Sequence, residues 1–337
     1  MKRISPHCIL MLFATLPSIG SSDDVQFQQL VSGCRASLRG MKVIDQNNVI
    51  ATGSNSTAIL TQDGGRSWVR LNVAELSELD FRDIETTGDG SLILMSTGPA
   101  EKSQIFRSED MGQSWNVVHR NQESQGFFNG MAFTVDGFGL LVGDPIDGQL
   151  FLLNTSDFGK SWKRMPGPKL LDGEYGFAAS GTGIVLGDEG QAWITTGAAA
   201  ARVFNTTNHG QSWDVATTPI RTGEVSEGIF SIAFHGTSNG VIVGGDYKQP
   251  EIATANCAVT SNGGRDWSLA KVQMPHKACV RFMDSKRVLA VGRTGVMLST
   301  DRGANWHTVS ESNGTAAKFV WNLRSVRARV DRNKNLL

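Results

Sequence analysis

Acidic and basic side chains recur at intervals through this chain, and two kinds of chemistry fit them. Glu174, Glu227, Asp144 and Asp246 offer carboxylates, and a suitably spaced pair could hydrolyse a glycosidic bond by acid–base chemistry. Together with arginines, the same carboxylates could instead form a mixed binding pocket. These residues belong to one set of candidate binding residues, namely Arg39, Arg82, Asn129, Asp144, Glu174, Asp188, Glu227, Asp246, Tyr247 and Arg281. None of them is assigned a catalytic role.

The sequence offers no pattern for a nucleotide cofactor or a transition metal. Residues 181–187 (GTGIVLG) precede a strand and open no helix, so they are not a dinucleotide fingerprint. Residues 159–161 read Gly-Lys-Ser, as in a phosphate-binding loop, but the first glycine of that motif would fall at residue 154, which is Asn. The six histidines are scattered, and there is neither His-Glu-x-x-His nor Cys-x-x-Cys. We therefore expect no cofactor and no metal.

A repeated eight-residue motif indicates which fold carries these candidates. Its pattern is Ser/Thr-x-Asp/Asn-x-Gly-x-x-Trp, which is the Asp-box, or BNR, repeat of β-propellers. The copies occupy residues 61–68, 108–115, 155–162, 206–213, 260–267 and 299–306. Successive copies begin 47, 47, 51, 54 and 39 residues apart. Periods of this length are typical of solenoids and propellers.

Each copy follows a short apolar run of strand-forming residues, so it is expected at a strand end. Asp or Asn followed two residues later by Gly is turn chemistry, and Trp brings a large apolar surface to the returning strand. We therefore assign the motif a structural role. The residues concerned are Asp63, Trp68, Asp110, Trp115, Asp157, Trp162, Asn208, Trp213, Asn262, Trp267, Asp301 and Trp306.

The sequence around the third copy predicts a complete blade. Strands are expected at residues 129–134, 140–143 and 149–155, with a fourth after Trp162. Four antiparallel strands per unit is propeller-blade architecture. From residue 21 the chain holds roughly 317 residues, which at about 47 per unit gives six to seven blades. We predict an all-β, seven-bladed propeller whose N- and C-terminal strands share the last blade; six blades is the alternative.

Blade geometry gathers the candidate residues on one face. The motif turns share a face with the first hairpin of each blade, and the candidates lie at first-strand starts and second hairpins on the opposite face. One interpretation is that the candidates are ordinary solvated loop residues, since Asp after Gly is common in hairpins. The other is a mixed pocket of arginines and carboxylates over the channel mouth, where concave sites bind ligands.

Sialidases are Asp-box propellers with a characteristic set of catalytic residues. They need an arginine triad, a tyrosine nucleophile paired with glutamate, and an aspartate acid/base. Only Tyr175 and Tyr247 are present, and the Arg-Ile-Pro phrase that opens that family's domain is missing. Tyr175 neighbours Glu174, but adjacent residues on a strand point to opposite sides. A sialidase is therefore disfavoured.

The N-terminus predicts export. Residues 1–20 contain Lys2, Arg3, an apolar run and small residues, as in a secretory signal peptide, and residues 21–337 are expected to form one propeller domain. No later segment approaches the ~20 apolar residues of a spanning helix. Lys plus Arg and Asp plus Glu both number 32, which gives no field favouring nucleic acid. Cys34, Cys257 and Cys279 allow one disulfide and a free thiol, or three reduced thiols.

Several phrases resemble exported propellers related to the photosystem II stability/assembly factor. They are SLRGMKV, LVGDPIDGQLFLLNTSDFGKSW, LGDEGQAW and EGIFSIAF…GVIVGGDY. The resemblance covers residues 25–309 and is strongest over residues 126–247. It implies a seven-bladed, non-enzymatic propeller that binds a protein partner during assembly. The C-terminal closure departs from the family, and the family's partner-binding arginines have no residue-by-residue match here.

The sequence thus favours an exported, monomeric binding or assembly scaffold, periplasmic or extracellular, that takes a protein partner or a glycan at the channel mouth. The alternative is a carbohydrate-active hydrolase on the same fold.

Overall fold

The computed structural model describes residues 9–14, 26–73 and 78–311, and these residues form an all-β protein. Their only helical turn is the short 3₁₀ helix Ala100–Lys102. The first two strands, β1 (Ile9–Ala14) and β2 (Gln26–Val31), pair antiparallel with each other. Among the described residues, no helix has the length and apolar character needed to cross a membrane.

Three sheets of four antiparallel strands follow, and each is one blade. Blade one consists of β3 (Leu38–Val43), β4 (Val49–Gly53), β5 (Thr57–Thr61) and β6 (Val69–Arg70). Blade two consists of β7 (Asp80–Thr86), β8 (Leu92–Thr97), β9 (Gln104–Ser108) and β10 (Asn116–Arg120). Blade three consists of β11 (Phe128–Phe133), β12 (Gly139–Ile146), β13 (Gln149–Thr155) and β14 (Lys163–Met165).

The second half repeats this plan with one addition. After β15 (Glu174–Tyr175), blade four consists of β16 (Ile184–Leu186), β17 (Ala192–Thr195), β19 (Arg202–Thr206) and β20 (Asp214–Thr217), with β18 (Gly197–Ala198) between β17 and β19. Blade five consists of β21 (Glu227–His235), β22 (Asn239–Asp246), β23 (Cys257–Thr260) and β24 (Ser268–Leu269). Blade six consists of β25 (Cys279–Phe282), β26 (Val288–Gly292), β27 (Gly295–Ser299) and β28 (His307–Ser310). Strands β15 and β18 extend the inner edge of blade five.

The described residues form six blades. The sequence prediction of seven blades is therefore wrong, and its alternative of six is confirmed. The seventh blade was expected to combine a strand before blade one with strands after the last motif copy. Strand β2 pairs with β1 and with no blade strand, so it forms a separate two-stranded sheet. The predicted closing strands after residue 311 lie outside the described residues.

Successive blades bury their faces against each other. Ile50 and Leu60 of blade one share a core with Phe81 and Phe106 of blade two, and the two phenylalanine rings meet edge to face at 5.8 Å. The same arrangement recurs between every later pair of consecutive blades in the described chain. The remaining faces of blades one and six carry separate buried clusters.

The hydroxyl at the first motif position closes each motif turn, the turn between third and fourth strands. In all six copies it accepts a hydrogen bond from the motif glycine amide at 2.8–3.1 Å. In the second copy, Ser108 Oγ donates to Asp110 Oδ1 at 2.8 Å, and Asp110 Oδ2 accepts from Ser114 Oγ at 2.6 Å. The motif glycines have φ of 75° to 88°, where glycine is favoured. The predicted turn chemistry is confirmed.

Each motif glycine also lies against the preceding structural unit. A Cβ at Gly159 would come within 2.7 Å of Ile93 in blade two, and one at Gly303 within 2.8 Å of Val241 in blade five. In the first copy, a Cβ at Gly65 would come within 2.1 Å of Leu30 in β2. Strand β2 therefore contacts blade one in the way that a preceding blade contacts the next.

Polar side chains at bulges in the first strands link neighbouring blades around the channel. Asp83 follows a bulge in β7 and accepts a hydrogen bond from the Met131 amide of blade three at 2.9 Å. Ser231 follows a bulge in β21, where its Oγ lies 2.7 Å from Thr182 Oγ1 and 3.0 Å from the Val280 amide. Because a bulge adds a residue to one strand, it turns these side chains towards the next blade.

The three cysteines of the described chain are free. Cys257 and Cys279 are buried and Cys34 is half-buried. Burial raises the pKa of the Cys257 thiol to about 12, so it stays protonated at neutral pH. Of the two cysteine states left open by the sequence, the structure has reduced thiols.

The motif turns predict an acid-sensitive part of the stability. Hydrogen bonds from Ser67 and Ser114 lower the pKa of Asp63 and Asp110 to about 2. An unfolded aspartate titrates near pH ~3.9, so this stabilisation is present above that pH and is lost as pH falls towards 2. We expect Asp63→Asn with Asp110→Asn to weaken the loss of stability between about pH 4 and pH 2.

Urea denaturation followed by circular dichroism at each pH measures this effect. Asn208 and Asn262 occupy the same position in two natural copies, so the substitution suits the turn. Asp214→Asn, at an exposed position outside the motifs, is the control. An equally steep acid loss in the double variant and the wild type would contradict the prediction.

Candidate functional site

A pocket of about 510 Å³ opens on the face opposite the motif turns, and we call it the central pocket. The motif turns bond to the first hairpins, as where the His209 amide donates to Gly190 O at 2.9 Å. The pocket instead receives residues from the starts of first strands and from second hairpins. Its lining consists of Ser37, Arg39, Arg82, Phe177, Ala178, Ala179, Phe230, Tyr247, His276, Ala278 and Arg293.

A chain segment between β15 and β16, residues 177–182, crosses the channel and forms one wall of the pocket. At one end Arg82 Nη1 of blade two donates to Ala178 O at 2.9 Å. Further along, Ser180 Oγ donates to Ala278 O beside blade six, also at 2.9 Å. Gly181 has a φ of 66° and lies so close to Asp83 that a Cβ would come within 2.3 Å of Asp83 Cγ. We call this segment the cross-channel segment.

One side of the central pocket is cationic. Arg39 and Arg82 lie together there, and Arg293 lines the pocket near His276. No aspartate or glutamate is among the described lining residues. Asp80 lies beside Arg39 and Arg82 and accepts from Arg82 Nε at 2.8 Å. Burial, and then repulsion from Arg82, lower the pKa of Arg39, whose Nε has no hydrogen-bond partner among the described residues. Three guanidinium groups against the nearby carboxylates of Asp80 and Asp246 leave positive charge for an anionic ligand.

The other side of the pocket is aromatic. Phe177 of the cross-channel segment stacks on Phe230, with ring centroids 4.1 Å apart and planes inclined by 13°. Tyr247 and His276 meet Phe230 edge to face at 6.1 and 4.6 Å. Tyr247 is 40 % exposed, so the aromatic side reaches the pocket mouth. A ligand with both an apolar ring and an anionic group would match these two sides.

The structure brings only some of the predicted site residues to the pocket. Arg39, Arg82 and Tyr247 line it. Asn129 and Asp144 pair with each other, with Asn129 Nδ2 donating to Asp144 Oδ1 at 2.8 Å. Burial raises the pKa of Asp144 above its usual range. These last two residues are not part of the lining.

Two predicted acidic residues are engaged in ion pairs. Glu174 is buried, accepts from Arg202 Nε at 2.9 Å and also bonds to Thr196. Glu227 accepts from Arg221 Nε at 2.7 Å. Their partners come from other strands and loops, which sequence spacing did not reveal. The carboxylate pair that the alternative hydrolase would need is therefore not formed by these two residues in the central pocket.

The other three predicted residues also lie outside the lining. Asp246 accepts from the Lys248 amide at 2.8 Å, and Arg281 is exposed on β25. Asp188 differs most from the expectation. It follows β16, which is the first strand of blade four and not the second, so its hairpin lies on the motif-turn face. The hydrogen bond from the His209 amide of the motif turn to Gly190 O places the Asp188 hairpin on that face.

Sequence reasoning missed eight of the eleven lining residues, among them the four that give the pocket its aromatic and cationic character: Phe177, Phe230, His276 and Arg293. Phe230 lies in the apolar phrase EGIFSIAF, where it looks like an ordinary core residue. Phe177 belongs to the cross-channel segment, which has no counterpart in the other repeats. Arg293 lies in the second hairpin of blade six, whose position on the pocket face could have identified it.

The buried ion pair of Glu174 predicts a stability effect. Glu174→Gln leaves Arg202 without its anionic partner, and breaking a buried pair costs about 3–5 kcal/mol. Urea denaturation measures this loss. The double variant Glu174→Gln with Arg202→Met removes both charges and should lose less. Stability of Glu174→Gln within error of the wild type would show that the pair is not stabilising.

No protein-family model and no curated protein matches this sequence. Solved structures do match. "Structure of U3-55K" has a TM-score of 0.55 at 13 % identity, over 79 % of this chain and 78 % of that chain. The GH74 enzyme of Niastella koreensis has a TM-score of 0.52 at 18 % identity over 79 % of this chain. This chain spans only 37 % of that enzyme's length.

A structure described as YCF48 bound to D1 peptide also matches, with a TM-score of 0.40 at 16 % identity. That match covers 79 % of this chain and 91 % of the YCF48 chain. At these identities the shared property is the fold, and this chain is a β-propeller.

Proposed function

We propose that this protein is a non-enzymatic binding propeller that holds an acidic segment of a partner protein in the central pocket. The observation that carries the proposal is the charge of the pocket. Arg39, Arg82 and Arg293 line it, and no acidic residue of the described chain does. Guanidinium groups recognise carboxylates through charge-assisted hydrogen bonds. The aromatic side would hold an apolar side chain of the same segment.

The alternative, a carbohydrate-active hydrolase, is less well supported by the site. Glycosidases of the common type need two carboxyl groups flanking the scissile bond. Among the described residues, none that lines the central pocket carries a carboxyl group, and Glu174 and Glu227 are held by arginines. A glycan could still bind without being cleaved, but it would leave the arginines without an anionic partner.

The proposal includes the surroundings in which the protein works. We propose that residues 1–20 are a cleaved signal peptide and that the monomeric propeller acts in the periplasm or outside the cell. Cleavage there would remove β1 and leave β2 beside blade one. We also propose that the repeated motif is an Asp-box. The resemblance of the sequence to assembly-factor propellers suggests a partner that is itself being assembled. N-terminal sequencing of the exported protein tests the cleavage.

A displayed library of random peptides tests the binding. Wild-type protein should enrich peptides rich in Asp and Glu, and their affinity should fall as salt rises. Arg39→Gln with Arg293→Gln should weaken a selected peptide about 10-fold per arginine, because each charge-assisted hydrogen bond contributes about 1.5 kcal/mol or more. Fluorescence polarisation with the labelled peptide measures both affinities.

The matched control is Arg66→Gln with Arg265→Gln, which removes the same charge from exposed positions within the motif turns. This control should bind like the wild type. Selection of peptides without acidic enrichment, or equal losses in the two double variants, would refute an anion-binding pocket.

A further inference from the structure

His276 lines the central pocket and is only 3 % exposed. Its backbone is fixed on both sides. The His276 amide donates to Pro250 O at 2.8 Å, and its carbonyl accepts from Thr294 Oγ1 at 3.0 Å. Its ring stands edge-on to Phe230, with planes inclined by 82°. The imidazole therefore has a fixed position beside the aromatic side of the pocket.

The polar atoms of this ring are unpaired. Within the described part of the chain, neither Nδ1 nor Nε2 of His276 meets a hydrogen-bonding partner. An unpaired polar group in a buried position costs free energy, so native proteins rarely keep one without a reason. A ligand in the pocket could supply the missing partner.

Burial, together with nearby charged groups, keeps His276 neutral. Burial, and then the neighbouring Lys277, lower its pKa to about 4. Arg293 lowers it as well, whereas Asp246 and a contact with the residue's own backbone raise it. The Lys277 ammonium is turned away and donates to Thr294 Oγ1 at 2.8 Å and to Gly295 O at 3.2 Å. Near pH 7 the ring of His276 therefore offers one N–H donor and one acceptor nitrogen.

We propose that His276 is a specificity-determining residue, whose ring N–H donates to the carboxylate of a ligand that also carries an aromatic group. This inference rests on the proposed function, since the arginines would hold the same carboxylate. The aromatic group would lie against Phe177 and Tyr247, while His276 and the arginines take the charged end. The ligand class is thus a peptide in which a carboxylate neighbours an aromatic side chain.

Two small probes separate the sources of such a carboxylate. N-acetyl-phenylalanine presents a chain-terminal carboxylate, and N-acetyl-Asp-Phe-amide presents a side-chain carboxylate. N-acetyl-phenylalanine-amide has the ring without the charge and serves as the control ligand. Binding is followed by NMR of the ¹⁵N-labelled imidazole rings, in which His119 on the outer strand of blade two is an internal control.

We expect the His276 ring signals to shift on adding at least one carboxylate probe, while those of His119 do not move. His276→Phe keeps a ring beside Phe230 but removes the donor, and should weaken the carboxylate probes about 10- to 100-fold. Because this variant also removes unpaired buried atoms, its thermal stability should not fall. His276→Gln restores a donor and should regain part of the affinity, and His119→Gln should bind like the wild type.

The outcomes distinguish this inference from the proposed function. Arginine-dependent binding that is equal in wild type and His276→Phe would overturn the role of His276 and leave the anionic pocket standing. Equal affinity for the carboxylate and amide probes would overturn the carboxylate assignment. If neither carboxylate probe bound the wild type, the aromatic-carboxylate class would be refuted, and an acidic peptide from the library would show whether the proposed function survives.

Discussion

A four-stranded sheet in this protein has two apolar faces and can bury neither alone, and the rest of the structure depends on this constraint. Each blade therefore needs a neighbour on either side. The motif glycine provides the closest approach, because a side chain there would collide with the preceding unit, as Gly303 would with Val241. The hydroxyl and carboxylate of the motif then hold the turn in the shape that allows this approach.

Much of the blade architecture could be predicted because the motif encodes it locally. Turn chemistry, strand ends and the strands of blade three follow from residues within one repeat, and the structure has them within a few positions. The fourth blade was harder. The phrase IVLGD, which ends at Asp188, looks like LVGD, which ends at Asp144. The first phrase covers the end of a first strand, whereas the second lies in a second strand. The local sequences are nearly the same. The two phrases occupy different strands of their blades because β15 and the cross-channel segment are inserted before blade four.

The candidate site could be predicted in part, for a different physical reason. The face that carries polar strand starts follows from blade geometry, and Arg39, Arg82 and Tyr247 do line the central pocket. Whether a charged residue is available to a ligand depends on partners that come from elsewhere in the chain. Glu174 lies 28 positions from Arg202, and that pairing is visible only once β15 joins blade five. The number of blades depended on terminal segments that carry no motif.

The cross-channel segment changes how the array of blades responds to mechanical and thermal stress. In an ordinary repeat array each unit touches only its neighbours, so the units can loosen one after another from an end. Here Arg82 and Ala278, on blade two and beside blade six, are tied to the same short stretch of chain. The cross-channel segment therefore joins blades that are far apart in the array. Because loosening one blade also breaks contacts of a distant one, we expect the blades to unfold cooperatively.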